Sequence, residues 1–522
     1  MAGGRGLSRA CLYAAITLLS IVGASARSYS NAINLMRNPS STSDVNLQDV
    51  SAYTEDAQAD LITELPGLVK PFLQKQFSGY LEIDKESGRN VFYWFVEAET
   101  NPENAPVLFW TNGGPGCSGL IAMLTEHGPF RVTKDGSNLK ENPFAWTKEA
   151  NVFYVEQPAG VGFSYSEDES FYDNIGDDLA AEDNYKIIIK FFEKFPQFKS
   201  NAFYLSSESY GGHYMPMLAK LVVDKQAELD PEERLQLKGF LVGNPFNNPD
   251  ENMIGMVAAF WGQQLVPKPM VDEWYRECEV ETRVCPLWAT ECKNGSRHPS
   301  EEQMAKCLLL EAKMKTTAGD LNMYGLDWPV CEEPQGGSMQ RYTMLESLAA
   351  SRGHKSLRSK QEPFVPCEEN WSTRFLNRDD VREALHVRAV KDKPKKWIEC
   401  SNRHNGSNPF GTIEYDMNDH KTDMSSYYKY LIDGGHNLKI LIYSGDADSV
   451  CATAGTQTWM YDLGYPVVKD WTSWSIKEQV AGYVTKFQGF TFLTVHKSGH
   501  EVPMYQPEAG LELLRGYLAG DF

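Results

Sequence analysis

The chain has 522 residues, a formal net charge of −20, 42% hydrophobic residues and 12% aromatic residues. That apolar share supports a folded, enzyme-sized core and excludes an intrinsically disordered chain. The acidic balance speaks against nucleic acid or an anionic membrane as partner.

Residues 1–26 read as a signal peptide. Arg5 and Arg9 form a basic start, residues 10–22 are apolar and uncharged, and Ala24-Ser25-Ala26 is a small-residue cleavage site. The apolar stretch is shorter than the roughly 20 residues a spanning helix needs, so no membrane association is expected after cleavage. Residues 27–60 are polar and weakly patterned, as in a flexible N-terminal segment or propeptide, and the folded part is expected to begin near Leu61.

From about residue 79, short apolar runs alternate with turns and helical segments. Strands are predicted at 80–83, 91–96, 107–110, 152–155, 203–205, 239–242, 440–443 and 491–495. The first two lie close together, as in a hairpin. The later ones are continuous apolar runs, as expected for strands buried on both faces. Amphipathic stretches at 179–192 and 214–226 lie between them. Strand–helix alternation predicts an α/β fold with a mostly parallel central sheet, built from residues 61–249 and 371–522. Over residues 250–370 the strand rhythm stops. This segment reads as a helical insertion, or cap, over the C-terminal edge of the sheet, stapled by disulfides because it has little core of its own. The rhythm resumes with a helix at 379–387.

Ten cysteines are present, and Cys11 falls in the signal. Nine remain, six of them between Cys278 and Cys367. An odd number implies a free thiol or an intermolecular bond. No Cys-x-x-Cys pair, His-Glu-x-x-His segment or His/Asp cluster occurs, so neither metal nor cofactor is expected. Asn294, Asn370 and Asn405 each begin an N-glycosylation tripeptide.

Ser207-Glu208-Ser209-Tyr210-Gly211 follows the run at 203–205 and precedes an apolar helix, the setting of a nucleophile elbow. The run at 440–443 leads into Ser444-Gly445-Asp446-Ala447-Asp448, and that at 491–495 into Ser498-Gly499-His500. Serine, aspartate and histidine thus occur in the order of an α/β-hydrolase triad. His500 would take the Ser209 proton and return it to the leaving group, while one of the two aspartates fixes its tautomer. Asn112-Gly113-Gly114-Pro115-Gly116 follows the run at 107–110. Its Gly114 amide and that of Tyr210 are the candidate oxyanion donors. A phosphate-binding reading fails, because no lysine follows the glycines.

Together these segments resemble the serine carboxypeptidase family of the carboxypeptidase Y and lysosomal protective protein type. The likeness is carried by Trp110-Thr-Asn-Gly-Gly-Pro-Gly-Cys-Ser118, Gln157-Pro-Ala-Gly-Val-Gly-Phe-Ser164, Glu208-Ser-Tyr-Gly-Gly-His213, Gly243-Asn-Pro245, Leu376-Asn-Arg378, Tyr443-Ser-Gly-Asp-Ala-Asp448 and Gly499-His-Glu-Val-Pro503. The resemblance implies an α/β-hydrolase that releases single residues from peptide or protein C-termini through an acyl-enzyme. It selects Asp448 over Asp446 for the triad. It implies that Asn112, Glu208 and the Gly113 amide grip the substrate's terminal carboxylate, with Glu126 partnering Glu208. Like charges would repel there unless the two carboxyls share a proton, which raises the pKa of one. An acidic optimum is therefore expected, lost as that carboxyl ionises.

The resemblance also implies disulfides Cys117–Cys400, Cys331–Cys367 and a nested pair, Cys278–Cys307 around Cys285–Cys292. It leaves Cys451 as a free thiol near the site. It places Glu501 by the pocket for the released residue, where a carboxylate favours a leaving Lys or Arg. The chain departs from the family at Ser207, where Gly is usual, and at Glu156, where Asp is usual. It also lacks one cysteine pair of the insertion. Two other readings are an acyltransferase of the same fold and a non-catalytic protective or binding protein. The signal and the cysteines place the protein in the secretory pathway, either secreted or vacuolar/lysosomal. No motif speaks to oligomeric state.

Overall fold

Strands follow wherever the chain offers unbroken apolar residues. In the computed structural model they are β1 Gln76–Asp84, β2 Arg89–Val96, β3 Val107–Thr111, β4 Phe130–Val132, β5 Leu139–Glu141, β6 Asn151–Val155 and β7 Phe203–Glu208. Then come β8 Leu237–Gly243, β9 Ala389–Val390, β10 Lys393–Pro394, β11 Lys439–Gly445, β12 Val467–Ile476, β13 Gln479–Phe487 and β14 Phe490–Val495. The structure describes residues 50–68, 74–278, 301–331, 366–390, 393–403 and 410–522.

Ten strands form one sheet in the order β1-β2-β6-β3-β7-β8-β11-β14-β13-β12. The six strands from β6 to β14 run parallel, and the two hairpins at the sheet's ends are antiparallel. Alternation sorts the side chains of the inner strands. Phe95, Phe109 and Phe153 enter the core on one face, with the helices Asp177–Lys194 and Gly211–Ala227. Trp94, Trp110 and Tyr154 enter the other, with the helix Pro507–Ala519. Period-2 burial on both faces is what an α/β sheet requires.

All eight predicted strands are present, each lengthened by one to five residues. Within the ten-stranded sheet the sequence reading misses β12 and β13, and outside it the short pairs β4–β5 and β9–β10. In β12 only Trp474 is buried, and Val468, Trp471, Val480 and Tyr483 are exposed. A solvated edge hairpin has no apolar run to read. The helices predicted at 179–192 and 214–226 extend to Asp177–Lys194 and Gly211–Ala227, and that at 379–387 closes at Ala384.

Residues 50–60, ahead of the expected start near Leu61, already pack on the core. Thr54 caps the short helix Glu55–Ala59 by accepting the Ala57 amide at 3.2 Å, and Tyr53 packs on Phe77 with ring centroids 5.1 Å apart. Capping and one aromatic contact order a segment that reads as polar. The insertion has a small core. Met256, Val257, Phe260, Val266, Met270, Val271, Trp274, Leu310 and Met314 are buried together between the helices Pro249–Gly262, Lys268–Cys278 and Glu301–Ala318. No helix among the described residues is long and apolar enough to cross a membrane.

Candidate active site

The loops that leave the parallel strands at their C-terminal ends converge on one place, as in other open α/β sheets. β7 ends at Glu208, and Ser209 then takes φ +59°, left-handed for a non-glycine residue. Such a conformation costs about 1–3 kcal/mol and persists where its surroundings hold it. Here the Ser209 amide donates to Gly243 O, and its carbonyl accepts from Gly212 and Phe246, all at 2.9 Å. The helix starts at Gly211, whose missing side chain makes room for Ser207. A Cβ on Gly211 would stand 2.1 Å from Ser207 Oγ. Ser207 therefore fits where Gly is usual, and its hydroxyl donates to Thr111 O at 2.6 Å.

Asp448 and His500 follow β11 and β14. His500 Nδ1 lies 2.7 Å from Asp448 Oδ2, and both side chains are buried. The Asp448 carboxylate also accepts the amides of Val450 and Cys451 at 2.8 and 3.0 Å. Asp446, the other candidate, points elsewhere and pairs with His496 at 2.7 Å. Burial opposes the charged form of His500. The Asp448 charge and hydrogen bond, with the charges of Glu501 and Glu126, outweigh it and raise its pKa above 6.5. His500 Nε2 is buried and accepts no hydrogen bond from the described residues. Ser209 is half-buried, and its side chain is hydrogen bonded to the Cys451 thiol. Burial first, then Asp448 and Glu208, hold that thiol well above its ordinary pKa, so it is neutral.

The glycine loop lies against the elbow. A Cβ on Gly113 would stand 2.4 Å from the Tyr210 nitrogen, and Gly114 has φ +112°. Only glycines let the backbone approach this closely. The disulfide Cys117–Cys400 straps the loop, flanked by main-chain bonds Ser118 to Glu399 and Ser401 to Gly116. Tyr210 is held from behind, its hydroxyl donating to Asp177 at 3.0 Å.

Next to the elbow, Asn112 Nδ2 donates to Glu208 Oε1 at 2.7 Å and to Glu126 Oε1 at 3.0 Å. Trp110 Nε1 donates to Asn112 Oδ1 at 2.9 Å and so fixes the amide's orientation. Sharing one amide donor brings the two carboxyls together, and their mutual repulsion favours a proton on one of them. Burial first, then the charge of Glu501, push Glu126 up to about 8. Burial, Glu126 and Glu501 raise Glu208 well above 4.5. Glu501 caps the short helix Val502–Tyr505 directly after His500. The site therefore gathers Asn112, Gly113, Gly114, Glu126, Glu208, Ser209, Tyr210, Asp448, Cys451, His500 and Glu501.

A profile of the serine carboxypeptidase family matches residues 66–520. The chain belongs to that family. Serine carboxypeptidase-like 26 of Oryza sativa subsp. japonica is 33% identical over 480 residues, 89% of this chain and 91% of that one. Serine carboxypeptidase 24 of Arabidopsis thaliana is 33% identical over 472 residues, 90% and 94% of the two chains. Among solved structures, the prohormone-processing carboxypeptidase Kex1Δp of Saccharomyces cerevisiae superposes with a TM-score of 0.69 at 20% identity. That match covers 89% of this chain and 96% of the other, and shows a shared fold.

Two residues of this serine carboxypeptidase site have roles that the sequence reading did not assign. Asn244, at φ +38° after β8, donates to Asp448 Oδ2 at 2.9 Å and accepts the Gly445 amide at 2.9 Å. It stands in the Gly243-Asn-Pro245 segment that carries the resemblance, without a role given to it there. Tyr324 comes from the insertion. Its carbonyl accepts the His500 amide at 2.7 Å, and its ring stands edge-on to the imidazole at 5.0 Å. Nothing in the sequence links it to His500. The disulfides Cys278–Cys307 and Cys331–Cys367 join as expected, while Cys285 and Cys292 lie outside the described residues. So do Asn294 and Asn405. Asn370 is half-buried in the helix Glu368–Leu376, its amide 3.4 Å from Cys331 Sγ. Among the described residues, no group of three or more His, Cys, Asp or Glu could hold a metal.

A cavity of 1790 Å³ lies on the far side of Phe246 and Val450, whose amides bind the Ser209 carbonyl and the Asp448 carboxylate. Both line it, with Met253, Met256, Leu321 and Met323.

Proposed function

We propose that the protein is a serine carboxypeptidase acting on free peptide C-termini through a Ser209 acyl-enzyme. The observation that carries this reading is the Asn112-bridged pair Glu126–Glu208, whose second member precedes the elbow serine by one residue.

A terminal carboxylate entering the site meets the proton held by the carboxyl pair, and the Gly113 amide. Anchored there, its last peptide bond lies over Ser209. The Ser209 side chain turns from Cys451 to His500 Nε2, which takes its proton as Oγ attacks the carbonyl carbon. The Gly114 and Tyr210 amides stabilise the oxyanion. His500 returns the proton to the leaving amine, one amino acid departs, and water repeats the sequence to release the shortened peptide. The cavity, whose wall mixes methionines with charged residues such as Glu311, Lys315 and Asp416, receives the chain on the acyl side. Glu501 favours a leaving residue with a basic side chain. Three disulfides among the described residues support passage through the secretory pathway, ending outside the cell or in a vacuole or lysosome.

The same pair sets the expected pH profile. Activity is lost on the alkaline side as the pair gives up its proton, Glu126 being pushed up to about 8 and Glu208 raised by burial and by Glu126. The optimum lies on the acid side of that ionisation, and below it activity falls as His500, whose charged form Asp448 favours, takes up a proton.

The test is mass spectrometry of matched peptides with free and amidated C-termini, incubated from pH 5 to 9. Stepwise trimming of the free peptides only is expected. Equal trimming of both would overturn the carboxylate grip. Ester formation on an added alcohol, without trimming, would assign the acyl-enzyme to acyl transfer.

A further inference from the structure

Arg131 stands in β4, outside every motif of the site, and is buried. Its guanidinium donates to the main-chain carbonyls of Thr125, of Glu126 at 2.6 Å and of Pro503 at 3.3 Å, and pairs with Glu368 at 3.1 Å. Thr125 and Glu126 end the π-helical turn that carries the Glu126 carboxyl. Pro503 lies two residues beyond Glu501, in the short helix Val502–Tyr505 that follows His500. Glu368 adjoins Cys367 and its disulfide to Cys331. One cation thus joins three separate segments around an acidic cluster.

We propose that Arg131 is a positioning residue of the carboxylate grip: it ties the Glu126 and Glu501 segments together and supplies the cluster's counter-charge, which Glu368 attenuates. The inference rests on the function proposed above. A cation favours the ionised form of a nearby carboxyl, and an anion opposes it. Around the pair, Arg131 is the cation on β4, Glu501 and His500 come from the loop after β14, and Glu368 from the helix behind. Tyr154 on β6 and Tyr443 on β11 also face the pair and stay neutral, their pKa values raised by burial. His127, next to Glu126, is kept neutral by burial and by Arg131. Lys140 on β5 and Glu369 act on Glu368 with opposite signs.

Charge and scaffolding roles differ in sign. Loss of the Arg131 charge lets the pair hold its proton to higher pH. Loss of the Glu368 charge leaves Arg131 uncompensated and makes the pair ionise sooner. A merely structural role would move both variants the same way, or neither.

The experiment is the pH profile of kcat/KM for a free-C-terminus peptide, from pH 5 to 10, with the full chain. In Arg131→Gln the alkaline limb moves up by about one pH unit, and in Glu368→Gln it moves down. Arg131→Lys keeps the limb in place, whatever its rate. Limbs that stay at the wild-type position, or move in the same direction, overturn the proposal. If Arg131→Gln does not fold, Glu368→Gln decides alone, and an unmoved or raised limb overturns it. A wild type without an alkaline limb sinks the carboxylate-grip reading and this inference with it, whereas a wild-type limb that the variants leave in place sinks this inference alone.

Discussion

Glu208 and Ser209 are consecutive, yet they turn to different partners. Glu208 closes β7 and faces Asn112, while Ser209 turns through φ +59° beside Cys451. The carboxylate grip and the nucleophile are therefore spaced by the backbone itself, and the enzyme should count one residue. Removing the grip should abolish the count. In the double variant Glu126→Gln/Glu208→Gln, kcat/KM for free peptides should fall, through KM, at pH 6. The alkaline limb near 8 should flatten, and amidated peptides should lose their disadvantage. Retention of the limb in that variant would assign it to another group.

The two aspartates after β11 separate by partner. Asp448 meets His500 and is held by Asn244, whereas Asp446 meets His496. Asp448→Asn should lower kcat by about 10⁴-fold, as expected when a triad histidine loses its tautomer. Asp446→Asn should leave kcat within about threefold. Asn244→Ala loosens the aspartate without removing it, so an intermediate loss of about 10-fold in kcat, at unchanged KM, is expected. Equal effects of the two aspartate changes, measured on one peptide, would contradict this division.

What was legible in the sequence follows from what creates signal. Buried parallel strands must be apolar along their length, so β3, β7, β11 and β14 announced themselves, and with them the loops bearing Asn112, Ser209, Asp448 and His500. The solvated hairpin β12–β13 has no such pattern. Tyr324 and Arg131 act through a main-chain carbonyl and through main-chain acceptors, and such roles leave no residue-type spacing to detect. The choice between Asp446 and Asp448 came from resemblance, since both lie within reach of a strand end. The structure separates them by which histidine each meets.

Cys451 is buried beside Ser209 and neutral, with its pKa raised by burial, Asp448 and Glu208. Alkylating agents that need a thiolate should react slowly at pH 7. A mercurial, which binds a thiol by displacing its proton, should block Ser209 sterically and stop turnover. Iodoacetamide labelling followed by peptide mapping tests this. Rapid, stoichiometric modification of Cys451 at pH 7 would show that the thiol is ionised.

Several buried carboxyls tie stability to pH. Burial raises Glu126 and Glu251 to about 8 and Glu156 to about 7, all from 4.5, and raises Glu208 as well. Between 4.5 and 8 the folded state then binds more protons than the unfolded chain, so stability falls as pH rises. His127 works the other way, because burial lowers its pKa and stability gains until pH passes 6.5. One histidine against four carboxyls leaves the net slope downward. Tm should be higher at pH 5 than at pH 8. Glu251→Gln, which removes one contributor held by Asn247 and Asn248, should shrink the difference. An unchanged difference would mean that Glu251 stays ionised in the fold.

The elbow explains its own departure from the usual glycine. Ser207 occupies the space that Gly211 leaves, with only 2.1 Å between Ser207 Oγ and a Cβ built on Gly211. Gly211→Ala alone should therefore overpack the turn and cost about 1–3 kcal/mol. Adding Ser207→Gly removes the clashing atoms, though it also removes the 2.6 Å bond to Thr111 O. That bond joins β7 to β3 and contributes about 1 kcal/mol. The double variant should thus recover most of the lost stability but not all of it. In a double-mutant cycle followed by urea unfolding, the coupling energy should be favourable and on the order of 1–2 kcal/mol. Additive losses would mean that the two residues do not compete for one space, and that Ser207 is accommodated by some other movement of the strand.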